Sequence, residues 1–583
     1  MTPEILLREF ERLSDAPDAV GRLRRLVLDL AVRGKLVEQD AADEPASELL
    51  KRIAAEKARL IKAGKIKKLA VDPINGGEAP FDIPVQWHWT RLGSVGDWGA
   101  GSTPSRTRSD FYEGNITWLK SGELNDNQCL SGSEEKLTEH AVTKGSFRVN
   151  QPGDVLIAMY GATIGKLAIL AESAVTNQAV CGCTPFDGVL NRFLYIFLRS
   201  EREKFHAASE GGAQPNISKV KLVWTPFPLP PLAEQKRIVA KVDELMALCD
   251  ELESAQNERE ATRDRLVAAA LHRLTSPQDQ SLQPPGQPAT PPETFQTHAR
   301  FYLNDLPRLA TRVEHVEALR RAVLDMAVTG QISAASATDI PASELLGRWA
   351  ECKSAHKAKT GDRRNKIAPS ADSSEYPIPI PRHWEVQSFE NVFLFVDYRG
   401  NTPPKTNQGV PLITAKNIRM GFLKDEPREY VSDETYKKWM TRGFPGPGDL
   451  LFTTEAPLAN VCVINLSQPF ALAQRAICLQ PYGTINSHWF MRAIMSPLFQ
   501  TYIDDHASGM TARGIKAARL KPLALPVPPP EEQDRIVRRV DEIMSLCDDL
   551  ETAIRTQSET SQRLLDAAIR EALADHQPAL EVA

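Results

Sequence analysis

Residues 228–255 read PLPPLAEQKRIVAKVDELMALCDELESA, and residues 526–553 read PVPPPEEQDRIVRRVDEIMSLCDDLETA. The two blocks are identical at 18 of 28 positions at a constant offset of 298. In each block apolar residues recur with a 4-3-4-3 spacing, which places them along one narrow seam of an α-helix. The seam residues are Ile238, Val242, Leu245, Cys249 and Leu252 in the first block and Ile536, Val540, Ile543, Cys547 and Leu550 in the second.

Each block predicts a long helix that begins just after a run of prolines, because a proline in the first turn removes no helical hydrogen bond. The expected helices span about residues 232 to 274 and about residues 531 to 575, which is on the order of 60 Å each. The matched seams favour burial of the helices against each other, as an antiparallel coiled coil with a pseudo-two-fold axis. An alternative remains open, in which each seam packs on the core of its own domain.

A second repeat pairs residues 22–53 with residues 318–349, which are identical at 18 of 32 positions at an offset of 296. Within it LRRLVLDLAV matches LRRAVLDMAV, and PASELL occurs at both 45–50 and 341–346. A period near 300 residues is far longer than a solenoid repeat, which covers roughly 20–50 residues. The chain is therefore a duplication of a whole module that consists of a helical region, a variable region and a long helix.

The duplication predicts an α+β fold with two variable domains of mixed α/β structure and a short helical N-terminal segment. The runs DVLIAMY, KLAILA, DLLFTT and NVCVINL predict strands inside the variable domains. A stretch rich in proline and glutamine predicts a linker between the two halves. The expected boundaries are 1–75 (helical region), 76–228 (first variable domain), 229–275 (long helix), 276–293 (linker), 294–375 (helical region), 376–528 (second variable domain) and 529–583 (long helix).

The composition of the 583-residue chain is that of a soluble protein, with 42% hydrophobic and 25% charged residues. No stretch approaches the roughly 18 apolar residues of a membrane span, and acids interrupt the apolar run at the N-terminus, so we expect a cytoplasmic protein. The eight cysteines lack the spacing of a zinc site. The net charge of −5 argues mildly against a nucleic-acid binder, so the distribution of charge has to decide.

Both variable regions carry loops that combine glycine with Arg, Lys, Asn, Gln, Ser and Thr, the side chains that bond to base edges and phosphates. Glycine beside them allows the backbone to approach a ligand closely. Ordinary polar surface is the alternative for any one of these loops. They are GSTPSRTR (101–108), WLKSGEL (118–124), MYGATIGK (159–166), VTNQAV (175–180) and GGAQPNISK (211–219) in the first region, and YRGNTPPK (398–405), ITAKNIR (413–419), FTTEAP (452–457), LAQRAI (472–477) and GMTARGIK (509–516) in the second.

These motifs, with IPVQWHWTRLG, PLPPLAEQKRIV and FTTEAPLANV, resemble those of the specificity subunit of type I restriction-modification systems. The resemblance covers nearly the whole chain. It implies two target recognition domains, each reading half of a bipartite, asymmetric sequence in double-stranded DNA, with the long helices setting the spacer between the halves. It further implies two methyltransferase subunits and two restriction/translocase subunits as partners. In such a complex S-adenosylmethionine, ATP and Mg belong to the partner subunits, and this chain holds no cofactor.

The loop positions give a set of candidate DNA contacts, each of which has an alternative interpretation as a turn, cap or surface residue. In the first domain they are Thr103, Ser105, Arg106, Lys120, Tyr160, Lys166, Asn177, Gln178, Gln214 and Asn216. In the second domain they are Arg399, Thr402, Lys405, Lys416, Asn417, Arg419, Thr454, Gln474, Arg475, Thr511, Arg513 and Lys516. No metal ligands and no catalytic residues are predicted.

Two patterns imitate nucleotide sites without meeting their requirements. GATIGKL has three residues between its glycines instead of four, and Leu167 stands where a phosphate loop has Ser or Thr. The Asp-Glu pairs 243–244 and 541–542 lie within the long helices, where a solvated helix face accounts for them. We therefore expect a non-catalytic subunit, as methyl transfer to a flipped adenine and ATP-driven cleavage would belong to partner chains.

Two other classes of protein remain open on the sequence alone. One is a non-catalytic coiled-coil scaffold that presents two protein-interaction domains. The other is the specificity subunit of a related system whose methyltransferase and nuclease are fused. Residues 51–68 add a basic stretch of eight cations and one acid, which suits either phosphates or an acidic protein surface and is also compatible with a solvated helix face.

Overall fold

The structure is a computed structural model that describes residues 16, 18–74, 77–145, 147–209, 216–275, 308–360, 376–398, 402–509 and 513–574. The chain divides into two compact units. Unit 1 comprises Met1–Arg259 and Gln557–Ala583, and unit 2 comprises Glu260–Thr556. The predicted linker 276–293 lies outside the described residues.

The first half of the chain alternates short helices with short strands and ends in a long helix. The helices are α1 (Ala19–Val32), α2 (Ala46–Lys62), α3 (Glu139–Lys144), α4 (Asn191–Ser200), α5 (Arg202–Ser209), α6 (Lys219–Val223) and the long α7 (Leu232–Thr275). The strands are β1 (His88–Arg91), β2 (Gly96–Ala100), β3 (Tyr112–Leu119), β4 (Asn127–Leu130), β5 (Glu135–Leu137), β6 (Val155–Ala158), β7 (Leu167–Leu170), β8 (Val175–Thr176), β9 (Val180–Pro185) and β10 (Pro226–Leu229).

The main sheet of unit 1 has five strands in the order β2-β9-β6-β7-β4. Strands β6 and β7 are buried at every position because a hydrophobic cluster covers each face of the sheet there, which explains their uninterrupted apolar sequences. A smaller sheet has the order β5-β3-β8. Strand β1 pairs antiparallel with β10, with His88 opposite Leu229, and so joins the start of the variable domain to its end.

The second half of the chain follows the same plan. Its helices are α8 (Val313–Val328), α9 (Ala342–Thr360), α10 (Phe389–Val392), α11 (Asp433–Trp439), α12 (Ser487–Met495), α13 (Pro497–Asp505), α14 (Ala517–Leu520) and the long α15 (Pro530–Leu573). Its strands are β11 (Glu385–Ser388), β12 (Phe393–Asp397), β13 (Val410–Ile413), β14 (Tyr430–Val431), β15 (Leu450–Thr453), β16 (Val461–Val463), β17 (Ala471–Leu472), β18 (Ala476–Pro481) and β19 (Ala524–Val527).

The sheets of the two halves correspond strand for strand except at one edge. Unit 2 has the orders β12-β18-β15-β16, β14-β13-β17 and β11-β19, and among the described residues it has no counterpart of β4. In both halves the same turn precedes the central strand, which is β6 in unit 1 and β15 in unit 2. Gly153 and Gly448 lie in this turn, and each has a φ of 90°. The aspartate after each glycine accepts a 2.9 Å hydrogen bond from the backbone N–H three residues earlier, which fixes the turn. The predicted α+β duplication is confirmed.

The long helices have the predicted extent, and their seam residues lie in the cores. Ile238 and Ile536 are fully buried, and the other eight seam residues are buried or half-buried. The far end of each helix packs in the other unit. The α15 residues Leu565 and Ala568 belong to the core of unit 1, and the α7 residues Val267 and Leu271 belong to the core of unit 2. Each helix therefore contributes residues to the cores of both units.

Several ion pairs that join the long helices to the helical regions or to the variable domains occur twice, once in each unit. Their repetition shows that the duplicated sequence forms duplicated contacts. The pairs are Arg24 with Asp250 and Glu253, repeated as Arg320 with Asp548 and Glu551; Arg237 with Asp43, repeated as Arg535 with Asp339; and Arg192 with Asp243, repeated as Arg492 with Asp541.

Among the residues that the structure describes, none of the helices has the length and apolar character needed to cross a membrane.

Candidate nucleic-acid interface

The candidate loops of both domains are held by the same backbone frame. The N–H of Ile217 donates to the oxygen of Met159 at 2.9 Å in the first domain, and the N–H of Ile515 donates to the oxygen of Thr454 at 2.9 Å in the second. Beside these bonds Tyr160 bridges to Asn216, and Glu455 bridges to Gly514. The loop after the central strand is thus tied to the segment before α6 or α14 in each domain, while the side chains on the frame differ.

In the second domain this frame closes around a cavity of about 260 Å³. Four of the predicted residues meet there, although they come from three separate stretches of sequence. The lining residues are Thr454, Glu455, Gln474, Arg475, Ser508, Gly514, Ile515 and Lys516. Arg475 and Gln474 are exposed, whereas Thr454 is only 4% exposed, so Thr454 forms the floor.

Arg475 is held over this cavity by its backbone and by an ion pair. Its φ of 72° lies in the left-handed region, which a side chain other than glycine adopts at a cost of about 1–2 kcal/mol. Its Nε atom lies 2.6 Å from Oε1 of Glu455, and both side chains remain about half exposed. Exposed ion pairs contribute only about 0–1 kcal/mol, so a phosphate or base edge can replace the carboxylate at little cost.

Lys516 and Arg513 add positive charge at the same end of the domain. Lys516 is exposed, and the described residues place no carboxylate in ion-pair distance of it. Arg513 is anchored differently, because its Nε atom lies 2.6 Å from Oδ1 of Asp504.

In the first domain a second cluster forms around Arg106. Its guanidinium makes a bidentate pair with Glu135, with contacts of 2.6 and 3.1 Å, and stacks over the rings of Tyr112 and Trp118 at 4.9 and 5.4 Å. The Nζ atom of Lys120 lies 3.0 Å from the same carboxylate. Hydrogen bonds from Arg106 and Lys120 lower the pKa of Glu135 to about 2, so this carboxylate stays charged at any physiological pH.

The loop 101–108 lies directly against the loop that carries Asn177 and Gln178. The backbone N–H of Ser102 donates to the oxygen of Thr176 at 2.9 Å, and the Thr103 hydroxyl donates to the side-chain oxygen of Gln178. Only glycine fits at position 101, since a Cβ there would lie 2.0 Å from the Thr176 oxygen. This approach brings the polar side chains of two predicted loops onto one surface.

The other predicted residues of the first domain are spread more widely. The Nζ atom of Lys166 donates to Oδ1 of Asn125 at 3.0 Å. The side-chain oxygen of Asn177 accepts from the N–H of Ala179, which shapes its own loop. Ser105 contacts the Thr107 hydroxyl at 2.8 Å, and Tyr160 is 40% exposed.

One predicted contact in the second domain is corrected by the structure. Asn417 is only 2% exposed, and its side chain is saturated inside the loop. Its oxygen accepts from the N–H and hydroxyl of Thr414, and its amide donates to the oxygens of Lys424 and Pro427. Asn417 therefore supports the loop and does not reach DNA.

The other described candidates of the loops 398–405 and 413–419 are at least partly exposed. Lys416 and Thr402 are exposed, and Arg419 is half-buried. Lys405 pairs with Glu429 at 2.8 Å. Three further candidates, Gln214, Arg399 and Thr511, lie outside the described residues.

Sequence reasoning misses the acids and aromatic rings that hold the candidate cations. A carboxylate repels phosphate, so Glu135, Glu455 and Asp504 are not candidates on sequence grounds, and their role is visible only through tertiary contacts. Tyr112 and Trp118 give a weak signal, as aromatic residues close to a basic loop.

The sites that imitate nucleotide or metal chemistry have structural roles. Asp243 pairs with Arg192, and Asp541 pairs with Arg492. Cys181 is buried, which raises the pKa of its thiol to about 12. Within the described ranges no three His, Cys, Asp or Glu residues cluster as metal ligands would.

Comparison with known proteins decides the family. Residues 84–261 and 376–559 match the family model for the type I restriction modification DNA specificity domain. The chain is a type I restriction-modification specificity subunit. Each matched range of this specificity subunit ends inside a long helix, so the family's domain includes the start of α7 in one copy and of α15 in the other.

Two relatives from Escherichia coli match the specificity subunit over almost its whole length. The type I restriction enzyme EcoAI specificity subunit is 31% identical over 574 residues, which cover 94% of this chain and 93% of that protein. The EcoEI specificity subunit is 26% identical over 593 residues, which cover 95% and 94%. A crystal structure of the HsdS subunit from Thermoanaerobacter tengcongensis superposes with a TM-score of 0.42 and 19% identity, covering 85% of this chain and 99% of that one.

Proposed function

We propose that each variable domain reads one half of a bipartite, asymmetric DNA sequence and that the long helices set the spacer between the halves. The observation that carries this proposal is the repeated backbone frame with different side chains. The same bonds, Ile217 to Met159 and Ile515 to Thr454, present Tyr160 and Asn216 in one domain but Glu455 and Gly514 in the other. A shared frame with unlike surfaces suits a ligand whose two halves have the same backbone and different bases.

The chain also assembles two methyltransferase subunits and two restriction/translocase subunits in this proposal. The duplicated surface supports identical partners, because exposed leucines recur at an offset of 298. Unit 1 presents Leu248 and Leu564, and unit 2 presents Leu546 and Leu266, with exposures from 39% to 62%. Large apolar side chains in water on a charged helix are typical anchors for a partner protein.

The specificity subunit performs no chemistry in this proposal and works on DNA in the cytoplasm. S-adenosylmethionine, ATP and Mg bind to the partner subunits. The clusters built from the predicted residues support this division of labour, because they consist of guanidinium, ammonium, amide and hydroxyl groups suited to binding.

Mapping of methylated adenines tests the proposal with one variant for each domain. The double variant Gln474→Ala with Arg475→Ala changes the second domain, and Arg106→Ala with Gln178→Ala changes the first. Each is assembled with the methyltransferase subunits and its methylated sites are sequenced. We expect each variant to relax base preference in one half of the target and to leave the other half intact.

Each variant thus serves as the control for the other. Relaxation of both halves by one variant, or of neither half by both variants, would contradict the assignment of one half to each domain. An electrophoretic shift with random duplex across salt adds a second measurement. Phosphate contacts give a steep loss of affinity with salt, whereas a protein scaffold would show no such binding.

A further inference from the structure

A strip of five exposed cations lies at the C-terminal end of α2 and just beyond it. Three of them follow the last helical residue, Lys62. Among the described residues none of the five has a carboxylate within ion-pair distance. We call Arg59, Lys62, Lys65, Lys67 and Lys68 the basic strip.

The earlier cations of the same stretch are already occupied. Lys51 pairs with Glu48 at 2.7 Å, and Arg52 pairs with Glu44 at 2.8 Å. Lys57 turns inward and donates to the backbone oxygen of Gly93 at 2.8 Å. The charge that is available to a ligand is therefore concentrated in the basic strip.

The strip is fixed on the first variable domain. Leu60, Ile66 and Leu69 pack against the core of unit 1, and a Cβ on Gly93 would lie 3.1 Å from Leu69. After the strip the Arg91 side chain donates to the oxygen of Asp72 at 2.8 Å. Apolar residues thus face the core while the cations between them face solvent, so little ordering of the chain is needed when a ligand binds.

A role in helix stability explains only part of this charge. Cations in the last turn interact favourably with the helix dipole, by about 0.3–1 kcal/mol, and this accounts for Arg59 and Lys62. It does not account for Lys65, Lys67 and Lys68, because the effect falls off within the last turn.

A protein partner fits the strip poorly. No large hydrophobic side chain between residues 59 and 68 is exposed, so the strip offers no apolar anchor. Four of its five cations are lysines, a residue type that is depleted in protein interfaces and suits phosphate as a mobile point charge.

The duplication gives an independent argument against a partner subunit. A surface that meets two identical subunits should occur twice, as the exposed leucines do. At the offset of 296, the positions of Arg59, Lys62 and Lys65 are taken by Ala355, Ala358 and Gly361, whereas those of Lys67 and Lys68 are taken by Arg363 and Arg364. Three of the five cations therefore have no counterpart in the second copy, so the strip is not repeated as a unit, as a surface for two identical subunits would be.

We propose that the basic strip binds the phosphate backbone of duplex DNA and adds affinity without reading bases. This inference rests on the proposed function, because it extends the DNA contact of the first domain beyond the predicted loops. Each phosphate contact releases counterions, so the strip should increase the salt dependence of binding and leave the recognised sequence unchanged.

The test compares two lysines of the same helix. Lys62→Gln removes an unpaired cation of the strip, and Lys51→Gln removes another exposed lysine, which is paired with Glu48. A quadruple variant changes Lys62, Lys65, Lys67 and Lys68 to Gln. Affinity of the methyltransferase complex for a target duplex is measured from low to high salt, together with thermal melting and the methylated sequence.

We expect the slope of log affinity against log salt to fall by about 0.9 for each phosphate that the variant no longer binds. Lys62→Gln should lower this slope, Lys51→Gln should leave it unchanged, and the quadruple variant should lower it most. The melting temperature and the methylated sequence of all three variants should match those of the native complex. An unchanged slope in the quadruple variant overturns the inference. Failure of the quadruple variant to assemble with the methyltransferase overturns it too, and marks the strip as a protein docking surface. Absence of salt-dependent binding in the native complex would instead reject the proposed function.

Discussion

At the scale of single residues, three of the arginines predicted to contact DNA, Arg106, Arg475 and Arg513, are held by a carboxylate of their own domain. Arg106 pairs with Glu135, and Arg475 pairs with Glu455. Each ion pair holds a flexible arginine side chain in one orientation before DNA binds. Because exposed ion pairs are weak, DNA can displace the acid and accept an arginine that is already oriented.

Arg475 allows the binding role to be separated from the structural cost. Arg475→Gly removes the side chain and relieves the left-handed backbone, whereas Arg475→Ala removes the side chain and keeps the strain. We expect both variants to lose about 1–3 kcal/mol of DNA binding, roughly 5- to 150-fold in affinity. The glycine variant should melt at the higher temperature of the two.

Arg348→Ala provides the matched control for these measurements. Arg348 is another exposed arginine of unit 2 and pairs with Glu344 on α9, away from the cavity. Its removal should leave DNA affinity unchanged. If Arg475→Gly bound the target as tightly as the native complex, the side chain would have no part in recognition.

At the scale of secondary-structure elements, the long helices carry two kinds of apolar residue. The seam residues Ile536 and Val540 are fully buried, whereas Leu546 on the same helix is 62% exposed. The buried seam stabilises the fold. The exposed leucine has no such role within the described chain, which leaves it available to a partner subunit.

Leu546→Gln, combined with its counterpart Leu248→Gln, should separate assembly from stability. Because the leucines are exposed, we expect the melting temperature to stay close to that of the native chain and binding of the methyltransferase subunits to weaken. Ile536→Ala is the contrasting variant, which should cost about 2–5 kcal/mol of stability through the cavity that it leaves. Thermal melting and analytical ultracentrifugation of the mixed subunits measure both effects. Undiminished assembly of the double variant would exclude these leucines as anchors.

The elements differ in how far the sequence predicts them. Strands β6, β7, β15 and β16 follow from local apolar runs, and the extent of α7 and α15 follows from the repeated seam. The parallel pairing of β3 with β8 does not, because it joins Trp118 to Val175 across a long stretch of chain. The burial of Asn417 likewise depends on backbone oxygens that fold back from Lys424 and Pro427, so its loop composition alone suggests a surface residue.

At the scale of the whole molecule, the duplication explains why one part of the chain repeats and another diverges. The ion pair of Arg24 with Asp250 recurs as that of Arg320 with Asp548, so the helical framework is duplicated contact by contact. The loops on that framework share backbone bonds but not side chains. In the proposed function the repeated framework meets the identical partner subunits, and the differing side chains of the loops meet unlike bases.

A chain with two identical variable regions provides the sharpest test of this architecture. If residues 90–227 replaced residues 387–525, the pair Thr90–Phe227 would take the place of the pair Gln387–Leu525, and the junctions would keep the register of β11 with β19, so the graft should fold. Both domains would then read the same half-site. A pseudo-two-fold relation predicts that the methylated target becomes an inverted repeat, because a two-fold axis places equal half-sites on opposite strands. A direct repeat in the methylation map would mean that the halves are related by translation, and retention of the original asymmetric target would mean that the variable regions do not choose the bases.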